Sequence, residues 1–143
     1  MSAGLTQVSL ESFRCFQALT FEPDPHVNVI EGSNASGKTS LLEAIFFLGR
    51  GNSFRASRAQ AVIREGERLA RVFASSRDDG IGHRIGVEIS PSGVELRLDG
   101  QSRCTRAELA TAMPVQVLDP SVHALVQGPP EGRRRSLGWR RRW

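Results

Sequence analysis

The chain has 143 residues, 39% hydrophobic and 24% charged, which suits one soluble globular domain or part of a larger one. No apolar run approaches the ~20 residues of a membrane span, and residues 1–20 hold Ser12, Arg14 and Gln17 with no signal-peptide core, making the cytosol the default compartment. The net charge of +4 belongs to the tail: Arg133, Arg134, Arg135, Arg140, Arg141 and Arg142 lie in the last eleven residues, and the rest carries 13 basic and 15 acidic residues.

Apolar residues at 5, 8 and 10 predict a short strand, turned at Phe13, Arg14, Cys15 and Phe16 into a second strand over 18–21 that pairs with the first. Pro23 and Pro25 break it. Val27, Asn28, Val29 and Ile30 form a short apolar run ending before glycine, the pattern of a buried strand feeding a loop. Residues 39–48 read as a helix. Leu41, Ile45 and Leu48 share a stripe flanked by Leu42 and Phe46, and Gly49 and Gly51 supply the stop. Strands are expected near 61–63 and 69–75, separated by Glu65, Gly66 and Glu67, with a turn at Asp78, Asp79 and Gly80. Residues 84–89 and 94–98 alternate at period two around Pro91, Ser92 and Gly93. Asp99-Gly100 is a hairpin signal, because both residues tolerate positive φ. Antiparallel strands are therefore expected through 69–104. Thr105 with Glu108 matches a capping box and predicts a helix over 106–112, ended by Pro114. Residues 115–118 form another apolar run, and Ser121 caps a predicted helical turn at 122–126. Gly128, Pro129 and Pro130 open an Arg-rich end.

Lys38 is the one lysine among 19 basic residues. It stands in Gly32, Ser33, Asn34, Ala35, Ser36, Gly37, Lys38 and Thr39, which fits G-x-x-x-x-G-K-[ST], a phosphate-binding loop. An arginine-biased chain retains lysine there because the loop takes a compact three-donor ammonium, whereas guanidinium is a wide fork. Gly32 and Gly37 free the backbone so that successive N–H groups can cradle phosphate oxygens. The helix N-terminus adds its own N–H groups and partial positive charge. Lys38 is expected on the β- and γ-phosphates, Thr39 on Mg²⁺, and Ser40 in support of the loop. The expected partner is a purine nucleotide, and the motif alone does not choose ATP over GTP.

Other candidates are less specific. Arg14 is placed either to reach a phosphate or to stand exposed at a turn. The run ending at Asp119 has the outline of a strand with a metal-supporting carboxylate. Gln116 interrupts it, Pro120 follows and no Glu comes after Asp119, so a phosphate grip is visible without hydrolytic machinery. Cys15 and Cys104 form no C-x-x-C pair and read as reduced thiols. His26, His83 and His123 are scattered, and no metal site is proposed from them.

The motifs in order resemble the RecF family. Leu10, Glu11, Ser12, Phe13 and Arg14 resemble its N-F-R-N opening. The loop followed by Ser40, Leu41, Leu42, Glu43, Ala44 and Ile45 resembles its N-L-L-E-A-I helix. Gly49, Arg50, Gly51, Asn52, Ser53, Phe54 and Arg55 resemble its G-R-S-F-R segment. Residues 114–119, Gly128-Pro129 and Arg133–Arg135 resemble the stretch ending R-R-R-F-L-D. The resemblance runs from about residue 5 to about residue 137. It implies an α/β P-loop NTPase of the ABC/SMC-like head type, truncated, with an antiparallel β region after the loop helix. It implies ATP and Mg²⁺ as cofactors, with Gly32, Ser33, Asn34, Ala35, Ser36, Gly37, Lys38, Thr39 and Ser40 at the nucleotide, Thr39 at the metal and Arg14 close by. Gln116 falls where related heads place a metal- or water-contacting Gln. It further implies a cytoplasmic repair protein without a membrane partner, an ATP-sandwiched homodimer, binding to single-stranded or gapped DNA, RecO- and RecR-type partners, and roles in replication, recombinational repair and SOS induction.

Departures from the family pattern are local. Ala35 stands where glycine is common. After Arg135 the pattern gives way to Ser136, Leu137 and Gly138. Residues 1–132 thus read as the N-terminal part of a head, and 133–143 as a divergent Arg-rich tail with an out-of-frame end. Lacking the later motifs, the chain is expected to hydrolyse ATP poorly by itself. Two other readings compete: a non-catalytic module that holds DNA through the tail, and a different P-loop ATPase such as a transporter-type head.

Overall fold

The computed structural model describes residues 4–78 and 80–118. A six-stranded antiparallel sheet has the order β2-β1-β3-β4-β5-β6. Its strands are β1 (Gly4–Phe13), β2 (Phe16–Phe21), β3 (Ala70–Asp78), β4 (Ile81–Ser90), β5 (Gly93–Leu98) and β6 (Gln101–Ser102). Helix α1 (Lys38–Arg50) and helix α2 (Arg106–Ala112) cover one face of the sheet.

Period-two alternation decides that face. Val8 and Leu10 of β1, Val72 and Ala74 of β3, and Ile85, Val87 and Ile89 of β4 point inward and are buried with Ala44, Phe47 and Leu48 of α1 and Leu109 of α2. Phe13 meets Phe47 edge to face, with ring centroids 6.3 Å apart. On the outer face Arg71 pairs with Glu88 at 2.8 Å and reaches Glu11 at 3.4 Å.

Most predicted elements match. Asp99 and Gly100 take φ of 52° and 82° between β5 and β6, the geometry of a tight mirror-image turn. Asp99 also accepts the Arg84 N–H at 2.7 Å and meets His83 Nδ1 at 2.7 Å, which ties the hairpin to β4. The Thr105 Oγ1 accepts from Glu108 N–H and the Glu108 carboxylate from Thr105 N–H, so the capping box is complete.

Four expectations need correction. Residues 27–30 form no strand; Val27 and Val29 are 74% and 78% exposed, and no described strand pairs with them. Residues 59–62 form a 3₁₀ turn, and Ile63 contributes only a bridge to Phe13. The buried stripe of α1 centres on Ala44, Phe47 and Leu48, with Leu41 and Ile45 partly buried and Leu42 exposed. The helix stops at Gly51, whose φ of 67° closes its last turn onto Phe47 O. Gly49 lies inside the helix for packing instead. A Cβ there would sit 2.6 Å from both Met113 O and Val115 Cγ2.

Candidate nucleotide site

The loop connects the unpaired 27–30 segment to α1. Gly37, with φ of 97°, is the residue before the first helical turn, and Leu41 N–H bonds back to its carbonyl at 2.9 Å. Only glycine suits this position. A Cβ would meet Cys15 Sγ and Phe16 Cζ, each at 2.8 Å, because the β1–β2 turn packs directly on it. Gly32 is also constrained, since a Cβ there would lie 2.6 Å from Ser36 Oγ. Ala35 holds φ of 64°, the left-handed region that costs a residue with a Cβ about 1–2 kcal/mol.

Lys38 Nζ donates to the carbonyls of Gly32 and Ser33, both at 2.6 Å, with Ser36 Oγ at 3.5 Å. One ammonium therefore gathers the loop around itself, as three donors on a slim stem allow. Ser36 N–H bonds to Ser33 O at 3.2 Å and tightens the same turn. Thr39 is exposed at the second helical position, and Ser40 is half-buried behind it. The glycines, the ammonium and the helix N-terminus together suit a polyphosphate. Thr39, exposed beside Lys38, would offer its hydroxyl as one oxygen ligand to a phosphate-bound Mg²⁺.

Arg14 is neither free nor simply exposed. It forms a fork with Glu43: Nε donates to Oε2 and Nη2 to Oε1, both at 2.9 Å. Glu43 is fully buried on α1. Its Oε1 also accepts the Ser53 hydroxyl, and Arg55 Nη1 lies 3.5 Å from Oε2. Ser53 Oγ in turn accepts the N–H groups of Arg55 and Ala56, both at 2.9 Å. Burial pushes the Glu43 carboxyl upward, but the hydrogen bonds from Arg14 and Ser53 and the charges of Arg14 and Arg55 outweigh it and hold its pKa below the ordinary range.

Sequence reasoning singled out Arg14 and the loop but assigned nothing to Glu43, Ser53 and Arg55. A signal was present: Glu43 lies one turn before Phe47 on the inward side of the helix, and a carboxylate there demands a charged partner. Gln116 is exposed in a non-helical, non-strand segment. Asp119, the 122–126 turn, His123 and the Arg-rich tail lie outside the described residues.

A family model described as the RecF/RecN/SMC N terminal domain matches residues 4–121. The chain belongs to that family. Its fold is that of the P-loop heads: a solved structure of the recombination mediator protein RecF with ATP, from the RecFOR pathway, aligns with a TM-score of 0.84 at 27% identity, over 96% of this chain and 38% of that one. A structure from work on ATP-driven dimerization and DNA-stimulated activation of SMC ATPases aligns with a TM-score of 0.76 at 23% identity, over 94% of this chain and 98% of that one, a likeness of fold. The DNA replication and repair protein RecF of Pseudomonas paraeruginosa is 39% identical over 138 residues. This chain spans 37% of that relative's length. Three of the four stretches that resemble RecF, those at Arg14, Glu43 and Ser53–Arg55, meet at one buried carboxylate. Among the described residues, no helix is long and apolar enough to cross a membrane.

Proposed function

We propose that the chain is the nucleotide-binding part of a RecF-type ATPase head that acts in DNA replication and repair. The observation that carries this reading is the loop: Lys38 at 2.6 Å from two loop carbonyls, behind a left-handed Gly37, at the start of α1. Gly32, Ser33, Asn34, Ala35, Ser36, Gly37, Lys38 and Ser40 hold the phosphates of ATP, and Thr39 holds Mg²⁺, which neutralises phosphate charge when bound. Arg14 serves the same site from the β1–β2 turn. The likeness to a RecF structure with ATP favours ATP over GTP.

In the longer protein, two such heads close on ATP as a homodimer and engage single-stranded or gapped DNA with RecO- and RecR-type partners. The setting is the cytoplasm, in recombinational repair and SOS induction. The chain by itself binds nucleotide. Gln116 and Asp119 are assigned no catalytic role.

The test is a titration of fluorescent ATP against the wild-type chain and Lys38→Ala. Binding weakened by two orders of magnitude or more is expected when the charged phosphate contact is lost, ~3 kcal/mol. Equal affinities would sink the site. For DNA, deletion of residues 133–143 separates the head from the tail. ATP-dependent DNA binding that survives the deletion favours the head, and salt-sensitive binding that vanishes with it favours the tail.

A further inference from the structure

Glu43 is an uneconomical choice for stability alone. An isolated carboxylate buried on a helix is costly, and an ion pair there is often no better than an apolar residue of similar volume. Its contacts have a direction. Arg14, which it grips through two bonds of 2.9 Å, sits in the turn after β1, and both Arg14 and Ser12, near the end of β1, are non-glycine residues at positive φ, 52° and 51°. Such backbone persists only where its surroundings enforce it. Here the turn is also held by Arg14 N–H to Val62 O at 2.7 Å, Arg64 N–H to Ser12 O at 2.8 Å, and Arg64 Nη1 to Cys15 O at 2.6 Å. The far side of the turn presses on Gly37 through Cys15 Sγ and Phe16. A chain of contacts thus leaves α1 at Glu43, passes through Arg14, Cys15 and Phe16, and returns at Gly37, just before α1 and next to Lys38.

We infer that Glu43 is a positioning residue of the nucleotide site: by gripping Arg14 it seats Cys15 and Phe16 on Gly37 and holds the phosphate loop in its receiving shape. The inference rests on the nucleotide-binding reading above. Ser53 and Arg55 hold the other side of the carboxylate, so the 53–56 segment is tied to the same device.

The experiment uses the full chain and two readouts: affinity for fluorescent ATP, and the rate at which iodoacetamide alkylates Cys15, resolved from Cys104 by peptide mass mapping. Cys15 is exposed enough to react and touches Gly37, so its rate reports the seating of the turn. Glu43→Gln keeps the volume and removes the charge. It should weaken binding about tenfold and speed Cys15 alkylation by a similar factor, because small misplacements at a site are amplified. Ile89→Val, a core change on β4 remote from the turn, lowers stability and should move neither readout. Glu43→Gln that binds as wild type with an unchanged Cys15 rate overturns the inference. If Glu43→Gln does not fold, Arg55→Ala with Ser53→Ala replaces it, and the absence of any change in either readout overturns the inference equally. Lys38→Ala separates the two readings. Wild-type affinity in that variant defeats nucleotide binding at this loop, while the Cys15 rate still reports on Glu43.

Discussion

Ile85, Val87 and Ile89 of β4 are buried, whereas Val27, Val29 and Ile30 are 74%, 78% and 37% exposed. Both runs are apolar and β-branched, so local propensity does not separate them. Pairing does. β4 lies between β3 and β5, both close to it in sequence, and its antiparallel hydrogen bonds need no long connection. Residues 27–30 follow Pro23 and Pro25 and lead into the loop, and no described strand lies beside them. An apolar run therefore becomes a strand only where a neighbour receives it. The part of the molecule that holds the nucleotide loop has less support than the part that holds the core.

Substitutions in these two parts should have very different effects. Phe47→Ala should cost about 3–5 kcal/mol through the lost burial and the lost contact with Phe13, enough to unfold a small domain. Val29→Ser should change stability by less than about 0.5 kcal/mol. Urea denaturation followed by circular dichroism measures both, and a loss above 1 kcal/mol for Val29→Ser would mean that the 27–30 segment is packed after all.

Arg14→Ala should come next, costing about 3 kcal/mol because it strips the bidentate partner from a buried carboxylate. The same pair sets a pH dependence. Glu43 is held below its ordinary value of 4.5, so its contribution is fully present above that value and is lost as pH falls through the lower folded value. Acid unfolding monitored by far-UV circular dichroism should therefore be steeper in the wild type than in Glu43→Gln below pH 4.5.

Gly49→Ala tests the seam between α1 and α2. Alanine favours a helix by about 1 kcal/mol over glycine, yet here it should destabilise by about 1–2 kcal/mol net, because its Cβ would crowd Met113 O and Val115. A stabilised variant in a thermal melt would show that the seam is loose. The loop carries a small effect of opposite sign. Ala35→Gly relieves the left-handed strain at φ of 64° but adds freedom to the unfolded chain, for a net gain of about 0.5 kcal/mol. A clear loss of melting temperature would show that the strain is offset by contacts of the alanine methyl.

The order of motifs was legible because each depends on neighbours in sequence. The capping box at Thr105 and Glu108, the Asp99-Gly100 turn, the period-two alternation of β3 to β5, and the glycines around Lys38 are local devices, and all appear in the structure. Leu41, Ile45 and Leu48 all pack against the core, as their shared stripe predicts, but Ala44 and Phe47 beside them are buried more deeply, and only the facing sheet decides that. Gly49 looked like a stop. Its role depends on Met113 and Val115, more than sixty residues away in sequence.

Sequence alone thus determined that a phosphate loop precedes an amphipathic helix and an antiparallel region, since glycine freedom, capping and hydrophobic period act over a few residues. Tertiary structure alone decided that 27–30 stays unpaired, that Gly37 is sealed by Cys15 and Phe16, and that Arg14, Ser53 and Arg55 converge on Glu43. Those outcomes depend on which surfaces meet. A buried carboxylate takes its partners from whatever strands and loops the packing brings within hydrogen-bond reach.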